Sequence, residues 1–302
     1  MSGGAGSVPL SPEFSARVLR HVSMANHTSW HAGGCADLFF TPRDVADLAA
    51  FVRQLPPQVP LLWIGLGSNL LVRDGGIRGV VVSTHGVLGT LERLSETHVY
   101  AQAGVPCARI ARQCMKWGLG PAEFFAGIPG TLGGALAMNA GAWGGTTWDH
   151  VIALDVLDRH GSLRRRTPRD YAVSYRHVQG PADEWFIGAR LQFEHQPGAN
   201  VDAIRELLER RRDTQPIGEW SCGSVFTNPP GRHAAQLIDS AGLKGFRIGD
   251  AAVSEKHANF IINHGAASAH DIEAVIRYVQ STVAAMHHVQ LQPEVRIVGE
   301  AA

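Results

Sequence analysis

Neither sign of charge is in excess. Lysine plus arginine number 27 and aspartate plus glutamate number 27, so no net field draws the chain toward nucleic acid or an anionic membrane surface. Any phosphate it binds must be met by local groups. No apolar run approaches the ~18 residues of a membrane span, and the stretch before Phe14 has neither the basic nor the apolar block of an export signal. The expectation is a soluble cytoplasmic protein. Cysteine is scarce, and Cys35, Cys107, Cys114 and Cys222 show no C-x-x-C spacing, which argues for reduced thiols over a redox pair or a zinc site. Histidine numbers 15, yet no H-E-x-x-H occurs and His287-His288 has no carboxylate at ligand spacing, so no metal is expected.

Glycine is what the chain has in quantity, 34 of 302 residues against an ordinary share of roughly 7%, with no collagen-like period. A 32.5 kDa chain with 45% apolar and 18% charged residues is globular, and long enough for two or three packed subdomains around a deep site.

The pattern predicts a helix near Ser11–Val22, a second N-capped by Thr41 with Pro42 in its first turn and running through Gln54, and a third over Pro106–Trp117. That third helix puts Cys107 and Cys114 on one face with Ile110 and Ala111. Strands are expected at Val59–Ile64, Gly79–Ser83, Val99–Ala103, Val151–Leu157 and Trp185–Phe193. A composition change near Pro197-Gly198 suggests a boundary. Beyond it the pattern predicts helices at Val201–Asp213, His233–Ala241 and Ser268–Met286, the last with Ser268 and Asp271 as a capping pair. Strands are expected at Ala258–Ile262 and Gln292–Val298. Helices and strands alternate without a βαβ beat, so the class is α+β.

Two glycine loops stand out. Gly65-Leu66-Gly67-Ser68-Asn69-Leu70 follows a strand, but Leu70 stands where a dinucleotide fingerprint needs its third glycine. Gly127-Ile128-Pro129-Gly130-Thr131-Leu132-Gly133-Gly134 frees successive amides to converge on an anion, and neither loop holds G-K-[ST]. Either alone reads as a tight turn. Together, each with an amide side chain (Asn69 and Asn139), they could clasp an elongated dinucleotide from two sides.

These loops, with Asn26–Gly34 and Met138-Asn139-Ala140-Gly141-Ala142, resemble the flavin-binding loops of the UDP-N-acetylenolpyruvoylglucosamine reductase family. The resemblance continues through Ser174-Tyr175-Arg176, Gly223-Ser224-Val225-Phe226-Thr227-Asn228-Pro229, Ala241–Gly245, His257–Ile261 and Pro293-Glu294-Val295, covering nearly the whole chain in order. It implies a two-part FAD-binding domain of the vanillyl-alcohol-oxidase type (residues 1–85 and 86–198) and a C-terminal α+β substrate-binding domain (199–302). It also implies NADPH as reductant and UDP-N-acetylglucosamine enolpyruvate as substrate, in a monomer serving a cytoplasmic step of peptidoglycan synthesis.

On the same resemblance, FAD is held by Gly65, Gly67, Ser68, Asn69, Leu70, Gly127, Ile128, Pro129, Gly130, Thr131, Gly133, Gly134, Asn139, Ala140 and Gly141. Arg176, Ser224 and Glu294 are the catalytic residues. Read without it, Ser224 is a turn residue, since Cys222–Phe226 fails G-x-S-x-G at both outer positions. Arg176 is then a surface charge and Glu294 a strand edge. Tyr175, Asn228, Lys244 and Lys256, with Arg232, are the candidates for the UDP-sugar. Family members commonly carry lysine where this chain has Thr227. The short span from Arg176 to Arg212 looks like the form lacking an inserted lobe.

Two other readings stand beside this one. One is a flavin oxidase or dehydrogenase of the same FAD-binding fold. The other is a UDP-sugar-binding protein without turnover, which the presence of Arg176, Ser224 and Glu294 together argues against.

Overall fold

A computed structural model describes residues 8–197 and 201–302. The chain forms two compact units, each assembled from separate stretches. The first comprises Met1–Leu19, Leu38–Gly65 and Gly79–Leu208, and the second Arg20–Asp37, Leu66–Arg78 and Glu209–Ala302.

In the first unit, a five-stranded antiparallel sheet runs in the order Leu163–Arg166, Val151–Asp158, Glu184–Gln192, His98–Gln102, Leu91–Arg93. Alternation along these strands sends Val99, Ala101, Leu154, Val156, Ala189 and Leu191 into one core, together with Cys107, Ile110, Ala111 and Cys114 of the helix Cys107–Lys116. That helix follows the seven-residue spacing of its thiols, and both are fully buried. Burial pushes the Cys114 thiol up to about 12 and Cys107 higher still.

A second core in the same unit holds Leu157 and Ile187 with Phe40 and Phe51. The last two rings stack at 3.8 Å. A parallel pair, Leu61–Ile64 with the later part of Ile77–Ser83, ends at the first glycine loop, so that loop is aimed by a strand.

Two expectations fail here for local reasons. The first helix is only Pro12–Ser15, and a strand, Leu19–Ser23, follows. Phe14 and Val18 both turn into the core, Arg17 donates from Nη1 and Nη2 to Asp47 at 2.6 and 2.7 Å, and the chain from Leu19 is taken up in a sheet instead. The second helix starts at Val45, not at Thr41. Asp44 wins the cap because its carboxylate accepts from Asp47 N at 2.8 Å, while Pro42 lies in the lead-in turn.

The second unit is built on an antiparallel sheet of Arg247–Ile248, Ala251–Val253 and Ile261–Asn263. The helix Ala269–His287 packs on it through Ile272, Val275, Ile276, Val279 and Val283, a 3.6-residue stripe. Each such side chain contributes about 1.5–3 kcal/mol by burial. Ser268 and Asp271 form the expected reciprocal cap. Trp30 is fully buried in this core, where its Nε1 donates to Ile261 O at 2.8 Å and its carbonyl accepts from Asn263 Nδ2 at 2.7 Å.

The helix at 201 runs Val201–Thr214 and that at 233 runs Ala234–Ser240. The terminal strand is shorter than expected, Arg296–Val298, parallel to Leu70–Val72, because Gln292–Glu294 bond instead to the Val225–Thr227 segment. The strand expected from Ala258 begins at Ile261. Gly198, where the composition changes, lies outside the described residues. The architecture is α+β, and no helix among the described residues is long and apolar enough to cross a membrane.

Candidate active site

The second glycine loop is fastened along its length to the end of a sheet strand in the first unit. Gly130 O accepts from Cys107 N, Leu132 N donates to Val105 O and Gly133 N donates to Ala103 O, each at 2.9 Å. These bonds bring the backbone so near that a Cβ on Gly133 would lie 3.0 Å from Ala103 Cβ. One on Gly127 would lie 2.6 Å from Ala142 Cβ. Gly65, at the end of its strand, faces the same loop, and a Cβ there would collide with Thr131 Oγ1. Within this unit Gly65 therefore meets the second loop at Thr131.

Thr131 is 1% exposed, and its hydroxyl has no hydrogen-bond partner among the described residues. An orphaned buried hydroxyl costs about 1–3 kcal/mol. Here it sits in the second glycine loop against Gly65, and a polar ligand with acceptor oxygens would satisfy it. Gly134, by contrast, faces open space. The residues fit the dinucleotide their pattern implied.

Arg176 occupies the tip of a hairpin, Ala172–Ser174 with His177–Gln179, closed by the pair Ser174 and His177. Its φ is 56°, a left-handed conformation at the second central residue of the turn, as in a type II turn. The guanidinium donates to Asn139 O at 3.3 Å and to Gly141 O at 2.8 Å and lies 5.4 Å from the centroid of the Tyr175 ring. Tyr175 itself is 56% exposed. Arg176, Asn139, Ala140 and Gly141 thus form one cluster.

In the second unit, Gly67 has φ 63° and its oxygen accepts from Ser29 N at 3.2 Å. The amides of Leu66, Gly67 and Ser68 meet no protein acceptor among the described residues, leaving three donors open on this loop. Leu70 begins the strand that pairs with Arg296.

Ser224 and Glu294 are brought together through the main chain. Glu294 N donates to Val225 O at 2.7 Å, and Asn69 Nδ2 donates to Glu294 O at 3.0 Å. Asn259, 4% exposed, locks the Ser224 segment from the other side. Its Oδ1 accepts from Phe226 N at 2.9 Å, its Nδ2 donates to Phe226 O at 2.8 Å, and its carbonyl accepts from Val225 N at 2.9 Å. Burial, then the charge of Glu294, hold the Cys222 thiol well above its usual range.

A cavity of about 360 Å³ in this unit is lined by Ser224, Asn228, His233, Gln236, His257 and Asn259. Burial, with the nearby Lys244 charge, lowers the His257 pKa, favouring a neutral ring. Asn228 caps the following helix, its Oδ1 accepting from Ala234 N at 3.0 Å. Lys244 pairs with Asp239 at 3.0 Å and Lys256 donates to Arg212 O at 2.5 Å; neither lines the cavity. Sequence reasoning gave no role to His233, Gln236, His257 or Asn259. Asn259 lies in a segment that carried the resemblance, but nothing local marks an amide as bonding to backbone 33 residues away.

Comparison with known proteins places this geometry. Residues 215–298 match the family described as UDP-N-acetylenolpyruvoylglucosamine reductase, C-terminal domain, and residues 36–167 match the FAD binding domain family. The UDP-N-acetylenolpyruvoylglucosamine reductase of Alkalilimnicola ehrlichii is 59% identical over 285 residues, 94% of this chain and 95% of that protein. That of Methylococcus capsulatus is 54% identical over 284 residues, 94% of this chain and 93% of that one. The crystal structure of UDP-N-acetylenolpyruvylglucosamine reductase from Thermus caldophilus superposes with a TM-score of 0.81 at 31% identity, covering 93% of this chain and 98% of that one. This chain belongs to the UDP-N-acetylenolpyruvoylglucosamine reductase family and is an FAD-dependent oxidoreductase.

Proposed function

We propose that the protein reduces UDP-N-acetylglucosamine enolpyruvate to UDP-N-acetylmuramate with electrons from NADPH, as a cytoplasmic monomer serving peptidoglycan synthesis. The observation that carries this reading is the 59% identity, over 94% of the chain, to a reductase named for that substrate. FAD, when bound, would supply the hydride chemistry that links NADPH to C3 of the enolpyruvyl ether. Residues 1–85 and 86–198 are the two parts that hold it, and 199–302 receive the UDP-sugar.

The chain's own residues do the rest. The Thr131 hydroxyl and the open amides of Leu66, Gly67 and Ser68 bind the dinucleotide, with Gly65, Asn69, Leu70, Gly127–Gly130, Gly133, Gly134 and Asn139–Gly141 shaping its walls. Hydride addition at C3 builds negative charge at C2 and on its carboxylate. Arg176 meets that charge with a fork of donors whose direction is already set by the carbonyls of Asn139 and Gly141. Preorganised donors of this kind are each worth roughly 3 kcal/mol.

Ser224 delivers the proton to C2; a hydroxyl is acid enough for so basic a carbon. Glu294, tied to the Ser224 segment through Val225 O, stabilises the enolic form. Tyr175 and Asn228 contact the UDP-sugar, with Lys244 and Lys256 supplying local positive charge for its diphosphate.

Replacing Ser224 with alanine tests the assignment. The variant should remain yellow and be bleached by NADPH, while reoxidation by the enolpyruvyl substrate falls at least about 100-fold. Normal substrate-driven reoxidation would remove Ser224 from the mechanism.

A further inference from the structure

The first glycine loop carries Asn69, and Asn139 follows the short helix Leu132–Ala137 into which the second loop runs; each side-chain amide ends on the main chain of a segment bearing a proposed reacting residue. Asn139 is 8% exposed with φ 45°. Its Nδ2 donates to Ser174 O at 3.3 Å and its Oδ1 accepts from Trp148 N at 3.1 Å. Ser174 closes the hairpin that carries Arg176, and Arg176 returns its own bond to Asn139 O. In the other unit, Asn69 Nδ2 donates to Glu294 O at 3.0 Å, while Asn69 O accepts from Arg296 N at 3.1 Å. That loop grips the chain on both sides of Val295.

The residue type follows from the geometry. A left-handed φ at position 139 suits glycine or asparagine. Only asparagine adds a donor and an acceptor on one short planar group, and both are used. Glycine would keep the backbone but leave Ser174 O and Trp148 N without these partners. The hairpin needs the help, because an isolated two-stranded ribbon is marginal in water and Ala172–Tyr175 are all exposed. Val178 and Tyr171 pack its base against the core, while Tyr175 at its tip is exposed.

We infer that Asn69 and Asn139 are positioning residues for the reduction, each tying a flavin-binding loop to the segment that presents Glu294 or Arg176. The inference rests on the reading that these two residues act on the substrate. A loop already shaped for the dinucleotide then also sets the direction of the group that meets the developing charge, with no side chain of its own at the reacting carbon.

The experiment uses the full-length holoenzyme. Asn139→Gly keeps the backbone conformation and deletes the amide. Amide hydrogen exchange across residues 171–180 should rise about tenfold. The kcat for reoxidation by UDP-N-acetylglucosamine enolpyruvate should fall about 30-fold, with the substrate KM within about threefold. Placed on Arg176→Ala, the same substitution should add less than about twofold, because both act through one group. Asn69→Ala placed on Glu294→Gln should behave likewise.

If Asn139→Gly does not fold, Asn139→Asp keeps the acceptor for Trp148 N, loses only the donor toward Ser174 O, and is read by the same cycle. Penalties that multiply, or unchanged exchange in the hairpin, overturn the inference. Wild-type reoxidation by Arg176→Ala would instead overturn the role given to Arg176, and the exchange result would still decide whether Asn139 places the hairpin.

Discussion

Gly65 faces Thr131 so closely that a Cβ on the glycine would strike the threonine hydroxyl. Two loops far apart in sequence share one buried polar atom, and that hydroxyl has no protein partner among the described residues. Steric and chemical demands coincide there: the glycine makes room, and the hydroxyl offers a buried donor.

Gly65→Ala should therefore destabilise the first unit by about 1–3 kcal/mol and weaken FAD binding at least about tenfold. Adding Thr131→Ala should return most of the stability, since the collision is gone, without restoring FAD affinity, since the hydroxyl is gone too. Flavin titration and thermal melts of the three variants read these separately. Recovery of both together would mean that Thr131 contributes bulk alone.

Thiol reactivity offers a second check. Cys35 is exposed while Cys107, Cys114 and Cys222 are buried, and burial raises all three buried thiols. Reactivity follows thiolate fraction and access. One thiol per chain should react with an aromatic disulfide reagent under native conditions, and four in denaturant. Fast labelling of Cys222 in the native protein would contradict the packing described around Glu294.

How far the sequence carried the fold is clearest where one residue type decides the outcome. Ser268 and Asp271 announce their helix because a capping box is a local contact. Cys107 and Cys114 announce theirs because periodicity reports a buried face directly. Arg17 gave no such signal, because its bidentate bond to Asp47 spans 30 residues.

The site divides in the same way. Glycine loops were visible because an absent side chain is a sequence fact. The hairpin that presents Arg176 was not, since its exposed strands lack an apolar alternation and its tip is fixed by Asn139 from 35 residues away. Lys244 and Lys256 were chosen by charge, and charge does not report that their ammonium groups reach Asp239 and Arg212 O.

Trp30 should be a strong stability determinant of the second unit. Trp30→Phe removes the indole donor and leaves Ile261 O buried without it, a cost of about 1–3 kcal/mol, before any loss of packing. Chemical denaturation should show a lower midpoint with an unchanged slope.

His257 titrates in a direction that burial dictates. Its folded pKa lies below the ordinary histidine value, first through desolvation and then through Lys244. The unfolded chain therefore binds more protons as pH falls through roughly 6.5. This residue's contribution to stability is complete above that pH and is lost on acidification toward the folded pKa. Proton NMR of the His257 ring should give a midpoint below that of a free imidazole, and Lys244→Met should move it up. A midpoint above about 6.5 would contradict the burial described.

The central claim is that the chain binds a flavin through which it would pass electrons from NADPH to an enolpyruvyl ether. Anaerobic titration tests it most directly: purified protein supplied with FAD is reduced by stoichiometric NADPH and then mixed with UDP-N-acetylglucosamine enolpyruvate. The account predicts a yellow protein that bleaches with NADPH and recovers its colour with one UDP-N-acetylmuramate formed per flavin. A protein that takes up no FAD, or a reduced flavin that the enolpyruvyl substrate leaves bleached, would contradict it.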